Sequence, residues 1–370
     1  MVVMKRALWM ALAALVMGSC AQDKTEDVGN GGLKIYASIE QDNTQSRVQL
    51  NDQKQTVWTA GDEIWAIHRT EGLTAWQFDG QTGDRSGSFS YMGSLNRDLS
   101  AYENLNGYYA FYPMGALTNY GALENNRMVL IGVLQTEWDY LPNSYGLHAN
   151  TMLGTSTDGE NYTFKNLHGY LRISLAGTKK VQSVRLEGNN DDYLSGNHYF
   201  AIDDIDVWSW YQSVALYQQI NCGDEGVQLS ASPTDFYYVL PPMTLQKGIT
   251  IKVTFTDGTT YIKNTTKPIT IERNTIQPMA VVDTSVDPYT QKVYIYHTGT
   301  TVAAPLLGGE AAVFAEIHWG DGNFSLLNEL TSYDYTDEQP SHTITVKTSQ
   351  ANILQLPNCS GVTKIDLSNF

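Results

Sequence analysis

Cysteine is scarce in this chain of 370 residues, with three copies, and two of them, Cys222 and Cys359, are too few to define a disulfide framework. An oxidising compartment would permit a bridge between them; two buried free thiols is the preferred reading. Positive charge is also short, with 23 Lys and Arg against 39 Asp and Glu and a formal net charge of −16. That balance excludes a surface built to neutralise nucleic-acid phosphates, and equally a positively steered contact with anionic lipid. The motifs of common chemistry are missing as well: there is no His-Glu-x-x-His, no Cys-x-x-Cys, no Gly-x-Ser-x-Gly and no phosphate-binding glycine loop. No enzymatic reaction, metal or cofactor is therefore expected. Aromatic residues, by contrast, make up 11% of the chain, 23 of them tyrosine, which argues against disorder.

The start of the chain carries an address. Lys5 and Arg6 precede an apolar run from Ala7 to Val16, too short to cross a bilayer, which needs about 20 residues, so it reads as a secretory signal. Met17-Gly18-Ser19-Cys20 closes the run and resembles a bacterial lipobox, although Met17 stands where leucine is usual. That resemblance makes residues 1–19 a removed lipoprotein signal and Cys20 the lipid-attachment residue, the chain's one link to a membrane. Losing Lys5 and Arg6 takes the net charge from −16 to −18. Residues 20–32, polar and ending Gly29-Asn30-Gly31-Gly32, form a flexible tether.

Beyond the tether the dominant period is two. Leu33, Ile35, Ala37 and Ile39 alternate with polar neighbours, as do Leu171, Ile173 and Leu175, and Ile249, Ile251, Val253 and Phe255. Asp79-Gly80, Asp158-Gly159 and Asp257-Gly258 supply turns between such runs. No stretch sustains a helical period for more than about three turns, so helices are expected to be few and short. The class predicted is all-β, built of sandwich modules. The Thr-, Gly- and Asp-rich stretch from Asn150 to Phe164 and the break at Thr284–Pro288 suggest modules at about 33–150, 151–283 and 289–370.

Trp58 stands before Gly61-Asp62 and is followed by Ile64 and Ile67, which predicts a buried indole plugging the core beside a glycine of positive φ. Asp62 then has a structural role. Pro241-Pro242 ends a strand, since neither residue can donate to a ladder. These residues also resemble a family. Arg47–Leu50 followed by Val57–Ile64, Phe164–Leu167 running into Tyr170–Leu175, Tyr238–Pro242, and Ile251–Tyr261 before Ile276–Pro278 are similar, in order and spacing, to fimbrillin-like (type V pilin-like) outer-membrane lipoproteins over about residues 33–283. The resemblance implies two transthyretin-like β-sandwiches in tandem and a place in a pilus or adhesin system at the outer membrane. It also implies maturation by arginine-specific cleavage, which removes the first strand and leaves a groove for another fimbrial subunit's strand.

Arg47 is the candidate cleavage site, after the Leu33–Ile39 strand and the polar Glu40–Ser46 segment; the alternative is an ordinary exposed arginine with its strand retained. The C-terminal segment departs from the pilin plan. Ile317–Gly322, with Trp319-Gly320-Asp321-Gly322, and His342–Val346 resemble a PKD-like, immunoglobulin-type sandwich, and Leu356–Ser368 resembles one turn of a leucine-rich repeat, which either packs on the preceding module or is a relic. This favours a tip, accessory or adhesive component over a shaft subunit. Trp208, Trp210, Tyr211 and Tyr217 cluster near Asp203-Asp204-Ile205-Asp206 and offer a second reading, a stand-alone lipoprotein binding carbohydrate or a host glycoprotein on an aromatic platform; alternate members entering a core is the rival account. The acidic run lacks the spacing and glycine of a calcium loop, and the seven histidines lack metal spacing.

Overall fold

The alternating pattern becomes strand almost everywhere. The structure is a computed structural model and describes residues 33–40, 56–95, 97–123, 126–309, 313–349 and 351–370. Among the described residues there is no α-helix; Met114–Ala116 makes a 3₁₀ turn. The expected all-β class is what the chain forms. It divides into two compact units, one of residues 1–260 and 267–282, the other of 261–266 and 283–370.

In the first unit the strands up to residue 166 are β1 (Lys34–Ile39), β2 (Glu63–His68), β3 (Gly72–Phe78), β4 (Ser86–Leu95), β5 (Tyr108–Tyr112), β6 (Leu117–Leu123), β7 (Arg127–Leu134), β8 (Glu137–Asp139), β9 (Met152–Ser156) and β10 (Asn161–Asn166). Seven of them close into a barrel in the order β1-β10-β9-β5-β2-β3-β4. Period-two geometry gives each strand two faces. Ile64 and Ala66 of β2 point into the barrel with Trp58, Phe89 and Phe164. Trp65 and Ile67 point the other way, into a second cluster with Leu117, Met128, Leu130 and Phe200. A strand buried on both faces reads as a continuous apolar run, which is why Glu63–His68 does not alternate.

Beyond residue 166 the unit continues with β11 (Gly169–Ala176), β12 (Lys180–Gly188), β13 (Ser195–Ala201), β14 (Asp204–Ala215) and β15 (Tyr217–Asn221), followed by further strands that include Thr234–Leu240 and Ile249–Phe255. The sheet β14-β13-β7-β6 joins strands from both sides of residue 150, and β8 runs parallel to β15. This corrects the expected division into 33–150 and 151–283. β9 and β10 lie past the turn-rich stretch yet complete the barrel, β9 against β5 from Tyr108↔Ser156 to Tyr112↔Met152 and β10 against β1. Meanwhile β6, β7 and β8 leave it, so the two halves interleave. The strand Thr234–Leu240 pairs with β11 and stops before Pro241, as its prolines require.

The second unit holds a five-stranded sheet in the order Phe324–Leu326, Phe314–His318, His342–Ser349, Gln291–His297, Val362–Asn369. Its core is centred on Trp319, fully buried and stacked on Tyr333 at 4.6 Å, with Gly320 and Gly322 at φ +95° and +96° shaping the turn. Of the repeat-like ending, Leu356 and Val362 lie against this core, as do the flanking Leu354 and Phe370, whereas Ile365 and Leu367 remain exposed. Both cysteines are free. Cys222 is half-buried and burial pushes its thiol up to about 12, but Cys359 is exposed, against the expectation of two buried thiols.

Candidate functional site

β1 is short, and its alternation decides how it sits. Ile35, Ala37 and Ile39 are 4%, 2% and 6% exposed and enter the barrel core, while Lys34 and Tyr36 face out. The strand is antiparallel to β4, from Lys34↔Ser90 to Ser38↔Ser86, and parallel to β10, from Tyr36↔Asn161 to Ile39↔Phe164. It is therefore the element that closes the barrel. Ala37 lies opposite Gly87, whose missing Cβ leaves room for the Phe78 ring, and Ala37 is itself packed in the same barrel core. Below it Trp58 is fully buried and meets Phe89, Tyr112 and Phe164 edge-on at 5.1–5.4 Å. Burial of the two isoleucines stabilises the closed form by about 1.5–3 kcal/mol each.

The end of the strand is fastened by charge. The Glu40 N–H donates to the Phe164 carbonyl at 2.8 Å, and the Glu40 carbonyl accepts from the Arg85 guanidinium at 2.8 Å. The Glu40 carboxylate, its side chain 14% exposed, accepts from both Nη1 and Nη2 of Arg273 and from the Asn166 backbone N–H at 2.9 Å. Arg273 Nη1 also donates to the Asn166 carbonyl at 3.0 Å. Asn166 is itself fully buried, its amide hydrogen-bonded to Asn150 and Asn274. Sequence reasoning treated Glu40 as the start of a polar linker and missed Arg273. The two are 233 positions apart, and nothing local to either residue signals the pair.

Gly61 has φ +84°, and Asp62, 2% exposed, accepts from the Thr59 N–H at 2.7 Å and from the Tyr112 hydroxyl at 3.0 Å. Burial raises its pKa against those two hydrogen bonds and His148. The carboxylate closes the turn and sets the Tyr112 ring beside Trp58, the structural role expected of it. A cleft of about 940 Å³ opens nearby, lined among others by Glu63, Pro113, Glu137, Trp138, Asp139 and His148. Its carboxylates do not converge: among the described residues no group of three or more His, Cys, Asp or Glu is placed to hold a metal ion.

Cys20 and Arg47 lie outside the described residues. Of the four aromatics, the structure brings two together. Trp208 and Trp210 of β14 meet edge-on at 6.0 Å, both half-buried, Trp208 against the β6–β7 cluster and Trp210 against His198 and the core around Tyr145 and Tyr170. Tyr211 is the extra residue of a bulge between Asn197↔Gln212 and His198↔Trp210. Tyr217 belongs to another sheet, with the Arg185 guanidinium 3.6 Å above its ring. No shared face unites the four. Arg127 pairs with Asp203 at 3.0 Å and reaches Asp204 at 3.7 Å, so the acidic turn is partly neutralised by β7. His168 and His198 are buried with rings 5.1 Å apart. No helix among the described residues is long and apolar enough to cross a membrane.

By sequence, no protein-family model and no curated protein matches the chain. Among solved structures it is similar to a candidate cell adhesion protein from Bacteroides ovatus, at 14% identity over 68% of this chain and 91% of that one, with a TM-score of 0.43. It is also similar to a candidate cell adhesion protein from Bacteroides fragilis, at 8% identity over 83% of this chain and 99% of that one, TM-score 0.32. A fimbrial protein from Bacteroides ovatus shares 10% identity over 81% of this chain and 54% of its own length, TM-score 0.26.

Proposed function

We propose that this chain is a surface adhesion component of the fimbrial type, non-enzymatic, which joins other subunits by exchanging its first strand. One observation carries the reading: β1 closes the barrel by ladders to both neighbours and by three buried side chains. Take β1 away and β4 and β10 each present an unpaired edge beside an apolar slot. A strand from another chain restores both ladders, which is strand addition in trans. Cleavage after Arg47 would free the N-terminal piece, and a lipid on Cys20 would hold the uncut protein at the outer membrane.

The experiment exposes the purified chain, lacking residues 1–19, to an arginine-specific protease. Intact mass locates the cut and size-exclusion chromatography follows association. The expected result is one early cut after Arg47, release of the 20–47 peptide and growth of oligomers. A chain that is cut there and stays monomeric with β1 retained would overturn the reading.

A further inference from the structure

We propose that the slot of β1 selects its incoming strand by a carboxylate as well as by shape: the partner's strand carries an apolar residue, then a small one, then an apolar one at alternate positions, followed directly by Asp or Glu. This rests on the strand-exchange reading above. The shape half follows from the residues now in place. Ile35 and Ile39 fill the two ends, and the middle position holds Ala37, 2% exposed in the same core cluster as Phe78. A larger middle residue would overpack a closed core.

The charge half follows from Arg273. Its guanidinium, with a side chain 30% exposed, sits fixed by the Asn166 carbonyl beside the Asn166 N–H, and both donors aim at one place, the carboxylate of residue 40. The platform behind them is rigid, since Asn166, Asn150 and Asn274 are 0%, 0% and 6% exposed and joined by side-chain hydrogen bonds. When β1 departs, the platform stays and its acceptor goes. A fork of two N–H donors matches a carboxylate in both charge and geometry. A strand ending in a neutral or basic residue would leave the half-buried guanidinium without its counter-charge and the Asn166 N–H without that carboxylate, an arrangement that rejects wrong strands as well as holding right ones.

The test uses the full chain with a site-specific protease sequence inserted within residues 41–55, so that it does not depend on Arg47. After cutting, fluorescein-labelled peptides of residues 33–40 compete for the slot, read by fluorescence polarisation: the native sequence, its Glu40→Gln form and its Ala37→Leu form. The expected result is capture of the native peptide, with about 10- to 100-fold weaker capture of the Glu40→Gln form, the loss that goes with a hydrogen-bonded charge. The Ala37→Leu form should also bind about 10-fold or more weakly. In the Arg273→Gln chain the preference for Glu over Gln should vanish, while Arg273→Lys should keep part of it. Equal capture of the Glu and Gln peptides by the unaltered chain would overturn the carboxylate selection and leave strand exchange standing. Capture of no peptide would overturn strand exchange itself.

Discussion

The buried histidine pair makes the first unit acid-sensitive by a calculable amount. His198 is 2% exposed among His168, Phe200 and Trp210, and burial holds its imidazole down at about 4. His168 is pushed well below its ordinary value, first by burial and then by His198. Above pH about 6.5, the ordinary histidine value, folded and unfolded chains are both neutral here and pH has no hold on stability. Between about 6.5 and 4 the unfolded chain takes up a proton that the folded chain refuses, so stability falls as pH falls. For His198 alone the loss from pH 7 to pH 4.5 is about 2–3 kcal/mol, and His168 adds to it. Urea unfolding of the unaltered chain and of His198→Phe, each at pH 7 and pH 4.5, isolates the term. Carboxylates outside the pair titrate alike in both proteins and cancel. The variant should lose about 2–3 kcal/mol less on acidification than the parent. Equal losses would refute the reasoning, because they would mean that His198 is protonated in the folded protein at little cost.

Two further substitutions test the packing. Tyr112→Phe removes the hydroxyl that donates to the buried Asp62 carboxylate at 3.0 Å, and should cost about 1–3 kcal/mol in urea unfolding at pH 7; no loss would deny the turn its brace. Trp319→Ala empties the centre of the second unit and should cost about 3–5 kcal/mol. Tyr333→Phe, which keeps the 4.6 Å stack and gives up the hydroxyl's bonds to Asp321 and from Asn323, should cost about 0.5–1.5 kcal/mol, both read by calorimetry.

What could be read in the sequence was what depends on near neighbours. The alternation of Leu33–Ile39 gave the strand and its inward face, and Asp257-Gly258 gave a turn that the structure forms, with Gly258 at φ +80° and the Phe255 N–H donating to Thr259. Trp58 and Gly61 behave as their spacing predicts. What could not be read was pairing at a distance. Nothing in Met152–Asn166 says that it joins strands beginning at residues 34 and 108, and its Thr, Gly and Asp content suggested a boundary instead. Glu40 and Arg273 meet only because the interleaved sheets bring residue 166 beside residue 273. The aromatic cluster shows the same limit from the other side. Trp208 and Trp210 share a face by alternation, but the bulge at Tyr211 and the change of sheet before Tyr217 come from partners that a linear pattern does not contain.

The central claim is that β1 must leave its slot for subunits to join. Ser38 and Ser86 lie directly opposite across β1 and β4, so a Ser38→Cys/Ser86→Cys chain can lock the strand in place under oxidising conditions. Cut in the 41–55 segment and followed by size-exclusion chromatography, the locked chain should stay monomeric with β1 attached, and reduction should release the strand and start assembly. Assembly of the locked, oxidised chain at the rate of the unlocked one would contradict the account, as would failure of the reduced, cut chain to assemble at all.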